Sequence, residues 1–279
     1  MNIKMGVSKA GIKPSGDYDI LVLKFSHSVY SAVFTQNSLA AAPVLYDRLV
    51  CEIQDRISAL VINSGNANAA TGQQGFENAE KMAQLTADCL GLDKSDILVF
   101  STGVIGVQLP MDKVENGIKQ ACENLQDLDL QLAARAISTT DAFYKYYETT
   151  GMIDGEVFTV KGIAKGAGMI HPNMATMLAY IFTDVKIEKS LLDKATKLVV
   201  DRTFNSISVD GCESTNDSFV VVATGESNVE INETNRVYFA KKLYEVALEL
   251  AKMIVKDGEG ATKLMEINVF QASSKEEAK

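Results

Sequence analysis

Short apolar runs alternate with amphipathic stretches along the whole chain. Asp19–Phe25 (DILVLKF) and Val29–Thr35 (VYSAVFT) read as strands joined by a turn at His27. Ser58–Asn63 (SALVIN) and Asp96–Ser101 (DILVFS) are continuous apolar runs of strand length, as expected of strands buried on both faces. Tyr144–Thr149 and Gly155–Val160 read as strands flanking a turn at Gly151–Gly155. Further strands are predicted from Met174 to Phe182, over Ser218–Ala223 and, last, over Lys263–Ala272. Helical spacing marks Pro43–Asp55, where Pro suits the first turn. It marks a helix reaching Leu90, with Gly91 as its stop. Pro110–Leu125, Gln131–Ile137, Lys189–Phe204 and Thr234–Lys256 follow. The last carries Val237, Leu243, Val246, Ala247, Leu250 and Ile254 on one face. Strands and helices alternate throughout, so the class is α/β or layered α+β. The 279 residues can bury a large core, as one big domain or two smaller ones.

Composition narrows the function classes. The chain is 47% hydrophobic and 23% charged, ordinary values for a soluble globular protein. A net charge of −9 argues against a nucleic-acid surface. No stretch approaches the roughly 18 apolar residues of a membrane span. The opening MNIKMGVSKAGIK lacks the apolar region of a secretory signal. Cys51, Cys89, Cys122 and Cys212 are far apart and form no CxxC pair. A disulfide framework or zinc site is not expected, and a cytoplasmic location is. His27 and His171 are the only histidines. A Ser-His-Asp or Cys-His site would have to use one of them, and His27 suits a turn better.

Candidate chemistry centres on Lys161–Phe182, KGIAKGAGMIHPNMATMLAYIF. Its first half is short on side chains and reads as flexible. Its second half reads as an apolar strand with one hydroxyl, Thr176, at the entrance. A small residue, then Thr, then a strand is the layout of a bond that a protein cuts in itself. Cutting between Ala175 and Thr176 would free an amine beside the Thr hydroxyl, a self-activated nucleophile. The residues alone also admit an ordinary strand Thr after a Gly-rich turn. KGIAKGAG is no phosphate loop, because Lys165-Gly166 leads to a strand and not to a helix.

Other stretches gather around this one. Asn63–Gly75, NSGNANAATGQQG, is rich in residues that tolerate positive φ and nearly free of charge. It reads either as a packed loop near a site or as a long turn. A strand running into Thr102-Gly103 can offer a hydroxyl and a backbone N–H to an oxyanion, although the dipeptide is often a plain turn. Ser138-Thr139-Thr140-Asp141 is either a helix end or a ligand contact. Two glycines around Glu259 let its carboxylate project from a tight loop, or simply cap the last helix.

With these motifs in place, the chain resembles the ornithine acetyltransferase (glutamate N-acetyltransferase) family of arginine biosynthesis. The match is carried by KGAGMIHPNMATML at 165–178. It extends to AVFTQN and AAPV at 32–43, NSGNANAATGQQG, STGVIG at 101–106, STTD at 138–141, STND at 214–217 and IVKDGEGATK at 254–263, in the family's order. The resemblance implies two mixed sheets layered between helices, in an enzyme of the N-terminal-nucleophile kind. It implies self-cleavage between Ala175 and Thr176, so that 1–175 and 176–279 form two chains of one catalytic domain that stay associated as hetero-oligomers. It also implies Thr176 as nucleophile, Thr102 and Gly103 as oxyanion hole, and Thr139, Thr140, Lys165, Thr176 and Glu259 as substrate contacts. Of the two threonines, Thr140 is the preferred contact. The implied substrates are N-acetylornithine and glutamate, with no metal and no cofactor. Acetyl-CoA as a further acetyl donor stays open.

Two departures stand out. Cys212 and Glu213 replace the Asp and Thr expected there, and Cys212 is expected to have no role. The family's members continue past Glu277-Ala278-Lys279 into a region that completes the site, so a fragment lacking that C-terminal domain is expected. Two alternatives accompany the acetyltransferase. One is an N-terminal-Thr amidase or aminopeptidase using water as acceptor. The other is a non-catalytic fragment.

Overall fold

The computed structural model describes residues 1–171, 177–274 and 277. In chain order the elements begin with β1 (Lys4–Ser8), β2 (Ile20–Phe34), α1 (Ala42–Ile53), β3 (Arg56–Asn66), α2 (Gly72–Leu90) and β4 (Ile97–Val104). Then come α3 (Met111–Glu123), β5 (Gln126–Asp127), α4 (Leu130–Ile137), β6 (Lys145–Ile153) and β7 (Glu156–Lys165). The remainder are β8 (Leu178–Thr183), β9 (Lys186–Ile187), α5 (Lys189–Arg202), β10 (Ser218–Ala223), β11 (Glu230–Ile231) and α6 (Arg236–Lys256).

β2 organises the fold. Its first half, Ile20–Lys24, pairs antiparallel with both β1 and β3. Its second half, Val29–Phe34, pairs with β10 instead. The ladder thus runs β4-β3-β2-β10-β8-β7-β6, with β1 and β5 added beside the first half of β2. The sheet does not lie flat. β4 and β8 are four places apart, which at the usual strand spacing means ~19 Å in a flat sheet. Yet the rings of Phe100 on β4 and Tyr180 on β8 meet edge to face with centroids 5.0 Å apart. The sheet therefore doubles over, and its halves form two stacked layers. Each layer is mixed, because β3–β4 and β10–β8 are parallel while the other pairs are antiparallel.

Strand periodicity sorts the side chains between two cores. Leu178, Tyr180 and Phe182 of β8 join the core shared with β2, β3 and β4. Ala179 and Ile181 join the other core, with α5 and α6. The same alternation holds in β10, where Val220 and Val222 face one way and Phe219 and Val221 the other. α1, α2 and α3 pack on β1, β2 and β4, α5 and α6 on the second layer, and α4 against strands of both layers. Helices outside two mixed layers are the architecture that the sequence implied.

Three expectations change. Asp19–Phe25 and Val29–Thr35 are one strand, not two. The register shifts between Lys24 and Ser28, a bulge that bends the strand without ending it, and half-exposed His27 sits at the bend. Lys161–Lys165 is not flexible: it completes β7 and pairs with both neighbours, Lys165 opposite Leu178. Lys263–Ala272 is not a strand. Its apolar pattern is suitable, but no described strand offers it a ladder, and Met265, Ile267 and Phe270 stay exposed.

Candidate active site

The site lies where β4, β7 and β8 end between the layers. β4 delivers Thr102 and Gly103 beside Gly65 of β3. Gly103 has φ +135°, and a Cβ there would stand 2.3 Å from the Gly65 carbonyl carbon, so only glycine fits. The Asn-rich loop after β3 is packed, not solvated. Asn63 Nδ2 donates to the Asn66 carbonyl at 2.8 Å, and Ser101 Oγ donates to Asn63 Oδ1 at 2.6 Å. Asn216 Nδ2, from the segment before β10, donates to the carbonyls of Ala67 and Ser101 at 2.7 and 2.8 Å. Asn68 and Ala70 take positive φ, as such a loop needs.

β7 ends by placing Lys165 against Thr102. The ammonium is buried, and Nζ donates to Thr102 Oγ1 at 3.0 Å. Burial pushes the Lys165 pKa down. Asp141 opposes that shift, Lys145 reinforces it and Asp217 opposes it. A cavity of about 30 Å3 is lined here by Thr102, Gly103, Lys165, Met177, Asn216 and Asp217. Ala175 and Thr176 lie outside the described residues. The chain on each side of that stretch is held by a carboxylate. Asp210 accepts from the N–H groups of Met169 and Ile170 at 2.6 and 3.0 Å. Asp217 Oδ1 accepts from Met177 N–H at 2.6 Å.

A buried ionic network backs the site. Lys145 Nζ bridges Asp141 at 2.6 Å and Asp257 at 2.5 Å, with all three side chains 0–3% exposed. Asp141 also accepts from Gly166 N–H at 2.8 Å and Thr139 N–H at 2.9 Å. Asp257 accepts from Ala142 N–H at 3.0 Å and stands two residues before Glu259. Burial alone would raise the Asp141 pKa. Lys165, Lys145 and the Gly166 N–H outweigh it and hold the carboxyl below its ordinary value. One cation thus ties together the segments that carry Thr139, Lys165 and Glu259.

The two threonines of the STTD motif part company. Thr139 lines a polar cavity of about 430 Å3 with Lys13, Arg135, Ser138, Asp141 and Tyr144. Thr140 is exposed and lines neither of these two cavities. Glu259 is exposed. Its N–H donates to the Ala167 carbonyl at 3.0 Å, and its carboxyl lies 3.4 Å from where a Cβ on Gly168 would be. The described residues therefore bring Thr102, Gly103 and Lys165 together, and place Thr139 and Glu259 on segments joined to Lys165 through Asp141, Lys145 and Asp257. Cys212 is exposed beside Asp210.

The sequence reading gave no role to Lys145, Asp257, Asp210 or Asp217. STTD and STND flagged Asp141 and Asp217 as parts of motifs, but nothing local marks Lys145 or Asp257, whose pairing spans 112 residues. Among the described residues no group of His, Cys, Asp and Glu could hold a metal, and no helix is long and apolar enough to cross a membrane.

Known proteins resemble this chain. The family model described as the ArgJ family matches residues 4–279. The arginine biosynthesis bifunctional protein ArgJ of Aquifex aeolicus is 48% identical over 97% of this chain and 69% of its own length. That of Caldanaerobacter subterraneus is 48% identical over 97% of this chain and 68% of its own. Among solved structures, ornithine acetyltransferase from Mycobacterium tuberculosis, complexed with ornithine, is 32% identical with a TM-score of 0.54. The match covers 63% of this chain and 92% of that one. The L-aminopeptidase D-Ala-esterase/amidase of Ochrobactrum anthropi, described as a variant among the Ntn hydrolase fold, has a TM-score of 0.60 at 9% identity. It covers 91% of this chain and 84% of its own, a likeness of fold alone.

Proposed function

The chain belongs to the ArgJ family, and from that membership and the geometry at Thr102 we propose a self-processing acetyltransferase of arginine biosynthesis. It moves the acetyl group of N-acetylornithine to glutamate through an acetyl ester on Thr176. The observation that carries this reading is the Lys165–Thr102 hydrogen bond in the cavity beside Met177. An ammonium has only donors to give, so it occupies a lone pair of Thr102 Oγ1. The Thr102 proton is then free to point at an oxyanion, together with the Gly103 N–H.

Maturation comes first. The Thr176 hydroxyl attacks the Ala175 carbonyl, the C–N bond breaks, and water opens the resulting ester. The two pieces stay associated, since β7 and β8 pair across the cut. The new α-amine, with a reference pKa of about 7.7–8.0, can take the proton of its own hydroxyl. That hydroxyl attacks the acetyl carbonyl, ornithine leaves, and the amine of glutamate attacks the acetyl-Thr ester. Lys165 suits a substrate carboxylate and Glu259 the ornithine ammonium, with Thr139 in the adjoining wall. No metal or cofactor enters these steps. Acetyl-CoA would serve as a second acetyl donor to the same threonine, in the cytoplasm.

The fold likeness to an aminopeptidase does not favour hydrolysis, because at 9% identity it carries fold only. The test is incubation of the chain, mass spectrometry, and assay of acetyl transfer to glutamate. Two pieces meeting at Ala175-Thr176, and N-acetylglutamate formed at the expense of N-acetylornithine, are expected. Thr176→Ala should leave one intact chain. Release of acetate in place of N-acetylglutamate would move the protein to the amidases.

A further inference from the structure

We propose that Cys89 and Cys122 are a redox-sensitive pair that closes into a disulfide and staples α2 to α3. The sequence holds the two apart, with no CxxC spacing, and no disulfide is expected from it. The fold brings them together, and the proposed acetyl transfer uses neither.

The directions of the two helices follow from the sheet. β1 and β3 both run antiparallel to β2, so they are parallel to each other. α2 returns the chain between the parallel strands β3 and β4, and so runs against both. α3 runs against β1. Ser8 Oγ donates to the Gly117 carbonyl at 2.8 Å, and Gly6 has no room for a Cβ beside the Ala121 carbonyl. α2 and α3 therefore point the same way, and they pack side by side. Lys81 Nζ, 3.4 Å from Glu115, sets their register. Cys89 lies eight residues beyond Lys81 and Cys122 seven beyond Glu115, steps of ~12 and ~10.5 Å along the axes. Those steps bring the two cysteines level.

The sheet fixes the same end independently. Lys24 Nζ of β2 donates at 3.2 Å to the carbonyl of Leu90, the neighbour of Cys89. Val22, two residues from Lys24, pairs with Gly6, and Gly6 abuts Ala121, the neighbour of Cys122. Cys89 is exposed and Cys122 half-buried. Burial, then the charge and hydrogen bond of the Cys89 sulfur beside it, push the Cys122 thiol up to about 12, against the pull of Lys24.

The oxidant is a low-molecular-weight disulfide. Exposed Cys89 attacks first, as its thiolate. The small S–S bond breaks, one thiolate leaves, and a mixed disulfide forms on Cys89. Cys122 then gives up its proton and attacks the Cys89 sulfur, which releases the second small thiol. Two protein thiols are oxidised, and one small disulfide is reduced to two thiols that carry away both protons. A reducing compartment keeps the pair open, so the staple forms under disulfide stress and reverses afterwards. The loop it closes, 89–122, contains all of β4 with Thr102 and Gly103. Closing that loop restricts the unfolded chain and so favours the folded one.

The test treats the full chain with oxidised glutathione, alkylates the remaining thiols and maps the peptides by mass spectrometry. A Cys212→Ser background removes the other exposed thiol. A linked Cys89–Cys122 peptide, lost on adding dithiothreitol, is expected. The oxidised chain should melt roughly 5–10 °C above the reduced one, and adding Cys89→Ser should abolish the difference. Adding Cys122→Ala should stop the reaction at glutathione on Cys89. The pairing is overturned if glutathione stays on Cys89 while Cys122 is alkylated, if two chains join through Cys89, or if neither thiol reacts. A linked pair that leaves the melting midpoint unchanged overturns the stapling role.

Discussion

Thr102 accepts a hydrogen bond from Lys165 and so has its own proton to give. Removing that proton is the simplest residue-scale test. Thr102→Val keeps the β-branched shape that the strand end needs. It should lower kcat by the 10²–10³-fold typical of one lost oxyanion donor, about 2.7–4 kcal/mol of barrier. Steady-state transfer measured beside a circular-dichroism melt checks it, and an unchanged kcat would remove Thr102 from the oxyanion hole. A strand ending in Thr-Gly marked Thr102 and Gly103 only weakly, and the family resemblance is what implied their oxyanion role. The Lys165 contact was not readable in the sequence, since the two residues are 63 positions apart.

At the scale of elements, Lys145 fastens the ends of β6, β7 and α6 to one another. It opens β6, its partner Asp141 holds the end of β7 through Gly166, and its partner Asp257 caps the end of α6. Lys145→Met would leave two carboxylates buried without their cation, a loss of about 3–5 kcal/mol. The triple change Asp141→Asn, Lys145→Met, Asp257→Asn removes the charges together and should recover most of that stability. Urea unfolding of the two variants tests the difference. The sign of the pH effect follows from Asp141, whose folded carboxyl is held below its ordinary 3.8. Its contribution is fully present above that value and is lost as pH falls through the folded pKa. The wild type should therefore lose stability below about pH 4 more steeply than the neutral triple variant. The helices and most strands were legible from period and stop signals, as at Gly91, which takes φ +67° after α2. The strand expected at 263–272 failed because an apolar run needs a partner, and periodicity does not supply one.

The whole molecule is held by the contact between its two layers, and Tyr180 lies in it. Its ring meets Phe100, yet its hydroxyl is buried with no hydrogen-bond partner among the described residues. Tyr180→Phe should leave stability unchanged or raise it, since it removes only an unpaired polar group. Tyr180→Ala should cost about 3–5 kcal/mol, because the cavity opens between the layers. Equilibrium unfolding midpoints check both, and a large loss in the Phe variant would mean that the hydroxyl has a bonding role.

By itself the sequence determined the alternation of strands and helices, the family, and the positions of Thr102, Gly103, Lys165 and Thr176 along the chain. Those features are local: period, turn chemistry and motif spacing are written in neighbouring residues. Only the tertiary structure decided that the His27 region bends one strand instead of ending it, and that this bend folds one ladder into two layers. It alone put Lys165 on Thr102, Lys145 between Asp141 and Asp257, and Thr139 at a cavity. Those contacts join positions far apart in the chain. Their energies come from burial and charge pairing that exist only after the layers close.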